Sequence, residues 1–165
     1  MTTLYIIRHG ETVENRMGVF QGQTPGHLSE TGIQQAMALR KTVAELNYDS
    51  VLCSDLQRCI DTANIILDGK VVPFVATPLL RERDMGNLVG KPVKGAHLIS
   101  SVESIGAIRE RCKTFLSLLR DHYDGQSVLL ISHGFFCRIL LAEITGINPM
   151  DVPKMNNCEI RTVNY

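Results

Sequence analysis

Two short stretches of the chain each combine an imidazole with a glycine at the end of an apolar run. Leu4 to Asn15 reads LYIIRHGETVEN, and Val128 to Arg138 reads VLLISHGFFCR. The first delivers Arg8, His9 and Gly10 in succession; the second delivers Ser132, His133 and Gly134. Two imidazoles and a guanidinium could hold a metal ion or an anion. Imidazole is a common metal ligand, but a guanidinium beside a bound cation is unfavourable, and no HExxH or comparable ligand spacing occurs. An anion fits better, because arginine matches phosphate with paired hydrogen bonds. Phosphate calls for more than one cation, and SDLQRCIDTA, Ser54 to Ala63, supplies Arg58. Taken singly, Arg58 reads as a solvated helix residue and His9 as a satisfied buried histidine. Their joint pattern points to a phosphate pocket.

The elements that must position these residues follow from periodicity. Short apolar runs predict strands over Thr3 to Ile7, Ser50 to Cys53, Val71 to Val75, Val128 to Ile131 and Ile160 to Val163. The first and fourth are almost continuously apolar, as strands buried on both faces should be. Helical spacing predicts helices over Glu30 to Glu45, Leu56 to Leu67, Val102 to His122 and Phe136 to Thr145. Leu28 and Ser29 precede the first as a hydrophobic staple and a cap, and Ala36, Leu39, Val43 and Leu46 form its apolar stripe. Gly86 to Ser101 reads as a loop. The alternation implies an α/β fold, a three-layer αβα sandwich with a mostly parallel central sheet. In such a sheet ligands bind outside the carboxyl ends of the strands. Both His-Gly pairs lie just past such an end, as does Arg58, one turn into its helix. Gly10 and Gly134 would permit tight turns and close approach to a ligand.

Bulk properties bound the function. At 165 residues, with no linker, repeat or low-complexity stretch, residues 1–165 read as a single domain. Hydrophobic residues make up 44%, enough for a core. The 17 basic and 17 acidic residues cancel, so net charge gives no support to a nucleic-acid partner. The five cysteines, Cys53, Cys59, Cys112, Cys137 and Cys158, are odd in number and match no zinc spacing, so they read as buried reduced thiols. No signal peptide is visible, and no run approaches the roughly 20 apolar residues needed to cross a bilayer. The expectation is a cytoplasmic protein with no membrane association; its oligomeric state is left open.

RHGETVEN, QGQTPGHLSETG, SDLQR, LRERDMG and SHG occur in this order along nearly the whole chain. Together they resemble the histidine phosphatase superfamily, the phosphoglycerate-mutase-like group. The resemblance implies that His9 is a nucleophile that becomes a phosphohistidine, that Arg8, Arg58 and His133 form the phosphate pocket, and that Asn15 adds an amide donor. The backbone near Gly134 and Phe135 would add an N–H. Glu82 would be the proton donor to the leaving oxygen, Gln21 and Gly22 would flank the substrate, and Arg83 matches a substrate-binding position of the mutases. No metal or other cofactor is implied. Glu11 reads as structural or as a partner of the site rather than part of it. The chain departs from many relatives at Glu14, where Trp is common, and at Pro25-Gly26-His27-Leu28, where Asp-x-Pro-Leu is common. His27 reads as a surface loop residue.

The chemistry accounts for these residue types. A nucleophilic histidine must be neutral with one nitrogen free, and phosphoryl transfer depends mostly on positioning and electrostatic stabilisation. An alkoxide leaves poorly and needs an acid. Only about 50 residues separate Glu82 from His133, so little chain remains for a lid that would keep water from a phosphoenzyme. Hydrolysis of a small phosphorylated metabolite, a phosphate monoester, is the expected reaction. Mutase-type transfer, a protein phosphohistidine phosphatase and a non-catalytic phosphate-binding module are the alternatives. Lys91 and Lys94 are candidates for an acidic part of the substrate, or else exposed loop charges.

Overall fold

Near-continuous apolar runs bury both faces of a strand, and that is how the centre of this molecule is built. The computed structural model describes all 165 residues. Strands β1 (Thr3–Arg8), β2 (Ser50–Ser54), β3 (Phe74–Thr77), β4 (Ser127–Ser132) and β5 (Ile160–Asn164) form one sheet in the order β3-β2-β4-β1-β5. The first four are parallel, and β5 runs antiparallel along β1 at the edge. Helices α1 (Val13–Met17), α2 (Glu30–Ala44), α3 (Gln57–Leu67), α4 (Ile105–His122) and α5 (Gly134–Thr145) complete the chain.

The sheet separates two apolar cores. Leu4, Ile6, Leu52, Val128 and Leu130 pack with α4 and α5. Ile7, Val51, Cys53, Leu129 and Ile131 face the other way and pack with α2 and α3. This is the expected three-layer αβα arrangement with a mostly parallel sheet. The five cysteines are free thiols, four buried and Cys158 half-buried. Burial pushes the Cys137 thiol up to about 12. No helix is long and apolar enough to cross a membrane.

Differences from the sequence reading have local causes. The third strand is Phe74–Thr77 rather than Val71 to Val75. Pro73 has no N–H to give to a ladder, and only its carbonyl engages β2, accepting from the Val51 N–H at 2.8 Å. Val71 is left almost fully exposed. Helix α4 starts at Ile105, not Val102, because Ser104 Oγ accepts from the Ala107 N–H and caps it there. Val102 instead joins Met85 and Leu88 in a small apolar cluster under the 86–101 segment. That segment is a loop as expected, apart from a 3-10 turn at Gly86–Leu88. The short α1 has too little periodicity to be read from sequence; a capping box between Thr12 and Asn15 forms it. Ser29 caps α2 as expected.

Gly10 has a different role from the expected approach to a ligand. A Cβ there would lie 2.7 Å from the Gly32 carbonyl oxygen, and a Cβ on Gly32 would lie 2.0 Å from the Glu11 carbonyl oxygen. The loop after β1 therefore rests directly on the first turn of α2, backbone against backbone. Gly32→Ala forces these segments apart. Its expected cost is about 3 kcal/mol in urea unfolding, and a loss below about 0.5 kcal/mol would show that the contact can relax.

Candidate active site

The parallel pairing of β1 with β4 decides where the two His-Gly pairs meet. Arg8 lies opposite Ser132 in the ladder, and the His9 N–H donates to the Ser132 carbonyl at 3.0 Å. The two imidazoles follow, edge to face, with ring centroids 5.2 Å apart. Both are buried.

Their hydrogen bonds assign opposite tautomers. His9 Nδ1 lies 2.7 Å from the Gly10 carbonyl oxygen, which only accepts, so Nδ1 carries the proton and Nε2 is free. His133 Nδ1 faces Arg58 Nε at 3.2 Å, which only donates, so the proton of His133 is on Nε2, 2.8 Å from Ser54 Oγ. Burial first, and then the Arg58 guanidinium, hold both imidazoles well below the ordinary histidine range. Arg8 pushes in the same direction on both, and the Gly10 hydrogen bond only partly opposes this at His9.

Arg58 is almost fully buried and has no carboxylate partner. Its Nη1 donates to the Thr24 and Pro25 carbonyls and its Nη2 to the Gly22 carbonyl at 2.7 Å. The Gln21–Leu28 loop thus wraps the guanidinium in backbone acceptors and leaves its charge uncancelled. Arg8 Nη1 donates to the Met155 carbonyl at 2.6 Å, and its Nε is buried without a partner. Gly134 permits this packing, since a Cβ there would come within 3.1 Å of Arg8 Nε. Gly134 thus makes room for Arg8, and not only for a ligand as the sequence suggested.

A cleft of about 320 Å³ opens over these groups. Arg8, His9, Asn15, Gln21, Gly22, Arg58, Glu82, Arg83 and Phe135 all reach it. His133 lies behind its wall, against His9 and Arg58, and does not line it. Asn15 Oδ1 is taken by the Thr12 N–H at 3.2 Å and by Asn157 Nδ2 at 3.4 Å. Gln21 spends its amide on Thr12 and on Glu14, at 2.8 Å to Glu14 Oε2. Lys91 and Lys94 are exposed and absent from the wall.

Glu82 is held by its neighbours rather than pointing freely into the cleft. Oε1 accepts from the N–H groups of Arg83 at 2.9 Å and Phe136 at 3.0 Å, and Oε2 from Phe135 N–H at 3.1 Å. The carboxylate thus sits at the N-terminus of α5, where no side chain from the N-cap residue His133 satisfies the amides. Glu11 spends its carboxylate on Ser29 Oγ at 2.6 Å and on Arg16, outside the cleft. The Ser29 hydrogen bond, helped by Arg16, keeps it below the usual carboxylate range against the opposing effect of desolvation. His27 is an exposed loop residue.

This geometry finds its match among known proteins. The model of the histidine phosphatase superfamily (branch 1) fits residues 4–165. The chain belongs to the histidine phosphatase superfamily. It is 31% identical to a probable phosphoglycerate mutase GpmB of Yersinia pestis, over all of this chain and 86% of that protein. Among solved structures it resembles the α-ribazole phosphatase of Shigella flexneri, with 25% identity, a TM-score of 0.89, and 98% and 90% of the two chains covered. It also resembles a phosphoserine phosphatase of Entamoeba histolytica solved with 3-phosphoglyceric acid, with 26% identity, a TM-score of 0.83, and 98% and 90% covered.

Several residues that shape the site of this histidine phosphatase give no signal in the sequence. Thr62 Oγ1 accepts from the Gly10 N–H at 3.0 Å, and Asn157 Nδ2 donates to the His9 carbonyl at 3.0 Å. Cys158, at φ 56°, gives its N–H to the Arg8 carbonyl at 2.9 Å. Arg111 donates to the carbonyls of Leu79, Arg81 and Glu82, is paired with Glu103, and so fixes the backbone that carries Glu82. Thr62 lies in the stretch that supplies Arg58 but is not marked out there, and the other three belong to no motif and come from far along the chain.

The tautomer assignment has a direct check. In ¹⁵N-labelled protein, His9 signals are expected to remain those of a neutral Nδ1–H imidazole from pH 8 down through 6.5, titrating only well below. A His9 that protonates at 6.5 or above would contradict the buried, cation-flanked site. The unfolded chain takes up these protons near pH 6.5. Stability should therefore fall as pH drops below that point, by up to about 1.4 kcal/mol per pH unit for each of the two histidines.

Proposed function

We propose that this enzyme hydrolyses a phosphate monoester through a phosphohistidine on His9. The observation that carries the reading is the His9 Nδ1 contact to the Gly10 carbonyl, which leaves Nε2 unprotonated in a residue that lines the cleft beside Arg8 and Arg58. A neutral imidazole with a free nitrogen is the form able to attack phosphorus. Arg8 and Arg58 supply uncancelled positive charge for the equatorial oxygens. The Asn15 amide adds a donor, since its oxygen is already taken. His133 then acts through others: it orients Arg58 and packs against His9.

Glu82 is the proton donor in this reading, and its position implies an exchange. The Phe135 N–H is also the backbone donor expected for phosphate, and in the free site Glu82 Oε2 holds it. An incoming phosphoryl oxygen takes over that N–H, and the carboxyl group turns toward the leaving oxygen. Water then attacks the phosphohistidine with Glu82 as base. Glu82→Gln is expected to slow phosphoenzyme formation from an alkyl phosphate by roughly 10²-fold or more, and from p-nitrophenyl phosphate much less, because nitrophenolate leaves without a proton. Single-turnover rates separate the two steps, and equal losses for both substrates would reject the leaving-group role.

Charge neutralisation by arginines supports chemistry that needs no divalent ion. Turnover should persist in excess EDTA; loss on chelation with recovery on adding zinc or magnesium would overturn this.

Mutase-type transfer is the second reading, favoured by the 31% identity to a probable phosphoglycerate mutase. Such transfer needs a cationic seat for a substrate carboxylate. Arg83 is the one cation at the outer part of the cleft, its Nε bonded to the Glu103 carbonyl at 2.8 Å and its guanidinium over the Phe135 ring. The short stretch between Glu82 and His133 leaves little chain for a lid that would keep water from a phosphoenzyme, so hydrolysis is the preferred reading. Two incubations decide between them: an alkyl phosphate is expected to release inorganic phosphate, and accumulation of 2-phosphoglycerate from 3-phosphoglycerate without phosphate release would reverse the choice.

A further inference from the structure

The cleft has two ends of opposite character. His9, Arg8, Arg58 and Asn15 form the polar end, whereas Val19, Phe20, Met85, Val93, Leu98 and Phe135 line the remainder. The charged side chains on this outer part are Glu82, which would repel a carboxylate, and Arg83, which is already engaged as described. The two lysines of the 86–101 segment do not line the cleft, while two of its apolar residues, Val93 and Leu98, do. Val93 and Leu98 are 49% and 58% exposed, and Val89 and Ile99 beside them are also exposed. Single exposed apolar residues are ordinary. Four in one short segment that borders a reactive cleft form a surface with something to gain from burial.

The backbone of that segment is anchored at both ends, the far one by Asn87 N–H to Ser101 Oγ at 3.1 Å and Val102 N–H to the Ile99 carbonyl at 3.0 Å, and is sparsely bonded between them. Phe20 N–H donates to the Lys91 carbonyl at 3.0 Å, Gly90 N–H to the Phe20 carbonyl at 2.8 Å and Val93 N–H to the Gly18 carbonyl at 2.8 Å. Val93 is therefore held over the cleft. From Lys94 to Leu98 the one backbone bond is from Ala96 N–H to the Val93 carbonyl, within the segment itself. Leu98 is carried by backbone that few bonds restrain, so it can settle against guests of different length.

We infer that the alcohol part of the substrate is apolar, a short hydrocarbon chain or an aromatic ring, and that Val93 and Leu98 select for it. This rests on the phosphate-pocket reading of Arg8, His9 and Arg58 and adds the chemistry of the leaving group. A cleft of this volume lies within the small-molecule range and accommodates a phosphoryl group plus a few carbons. Burial of the hydrocarbon against the 86–101 segment supplies affinity in proportion to its length, whereas a carboxylate at the same place meets Glu82 as well as Arg83.

Non-hydrolysable phosphonates read this without turnover. Calorimetric titration of the full-length protein with methyl-, propyl- and pentylphosphonate should show affinity rising about three- to fourfold per methylene. Phenylphosphonate should bind more tightly than methylphosphonate, and 3-phosphonopropionate more weakly than propylphosphonate. In Leu98→Asp the pentyl-to-methyl affinity ratio should fall about tenfold; the ratio is internal to one preparation, so a loss of folded protein does not imitate it. A flat series, or tightest binding by 3-phosphonopropionate, overturns the inference while the phosphate pocket stands. Failure of every phosphonate and of inorganic phosphate to bind removes the pocket and the inference together.

Discussion

The parallel register of β1 on β4 is the constraint on which the rest of the site depends. It sets Arg8 opposite Ser132, so the next residue of each strand end is a histidine. A one-residue slip would move every side chain of β1 to the opposite face and would take Leu4 and Ile6 out of one core and Ile7 out of the other. Register is therefore enforced by apolar packing throughout the sheet, and the two imidazoles come together as a consequence. The geometry of the candidate site is inherited from the hydrophobic core rather than built separately.

Around that pair the protein buries positive charge without cancelling it. Desolvating a guanidinium is costly, and Arg58 offsets the cost with carbonyls and an imidazole nitrogen instead of a carboxylate. Dipolar partners of this kind satisfy hydrogen bonds while leaving a net charge for an incoming anion. Burial first, and then the same charge, favour the neutral form of both histidines, so the proposed anion seat and the proposed nucleophile share one environment. Glu82 fits the scheme: it occupies the α5 amides in the empty site, where an anion is favoured.

Away from the phosphate end, the molecule is sparing. The 86–101 segment closes one side of the cleft with a 3-10 turn, a small cluster of Met85, Leu88 and Val102, and a few bonds to Gly18 and Phe20. It provides shape and apolar surface but few polar contacts. In the proposed function, that division leaves the phosphoryl group to the strand ends and the rest of the substrate to a loop sparsely bonded at its middle.

How much of this could be read in the chain alone varies with the range of the interaction. The two apolar runs ending in His-Gly, the Ser29 cap and the helical stripe of α2 are local, and they specified the fold class; most polar cleft residues were named by the family resemblance of the ordered motifs. Elements with weak local signals were misplaced. Pro73 shifted β3 toward its own C-terminal side, and α1 depends on one capping box. The partners of the site were invisible, because Thr62, Arg111, Met155 and Asn157 meet Gly10, the Glu82 backbone, Arg8 and His9 only when distant segments pack. The same holds for the orientation of each group. Sequence named Glu82 and His133 as pocket residues, but their neighbours in space decided that Glu82 rests on the α5 amides and that His133 turns to Arg58 and Ser54. Residue type and spacing determine which chemistry is available; hydrogen-bond partners brought from far along the chain decide the tautomer, the charge state and the direction in which each group points.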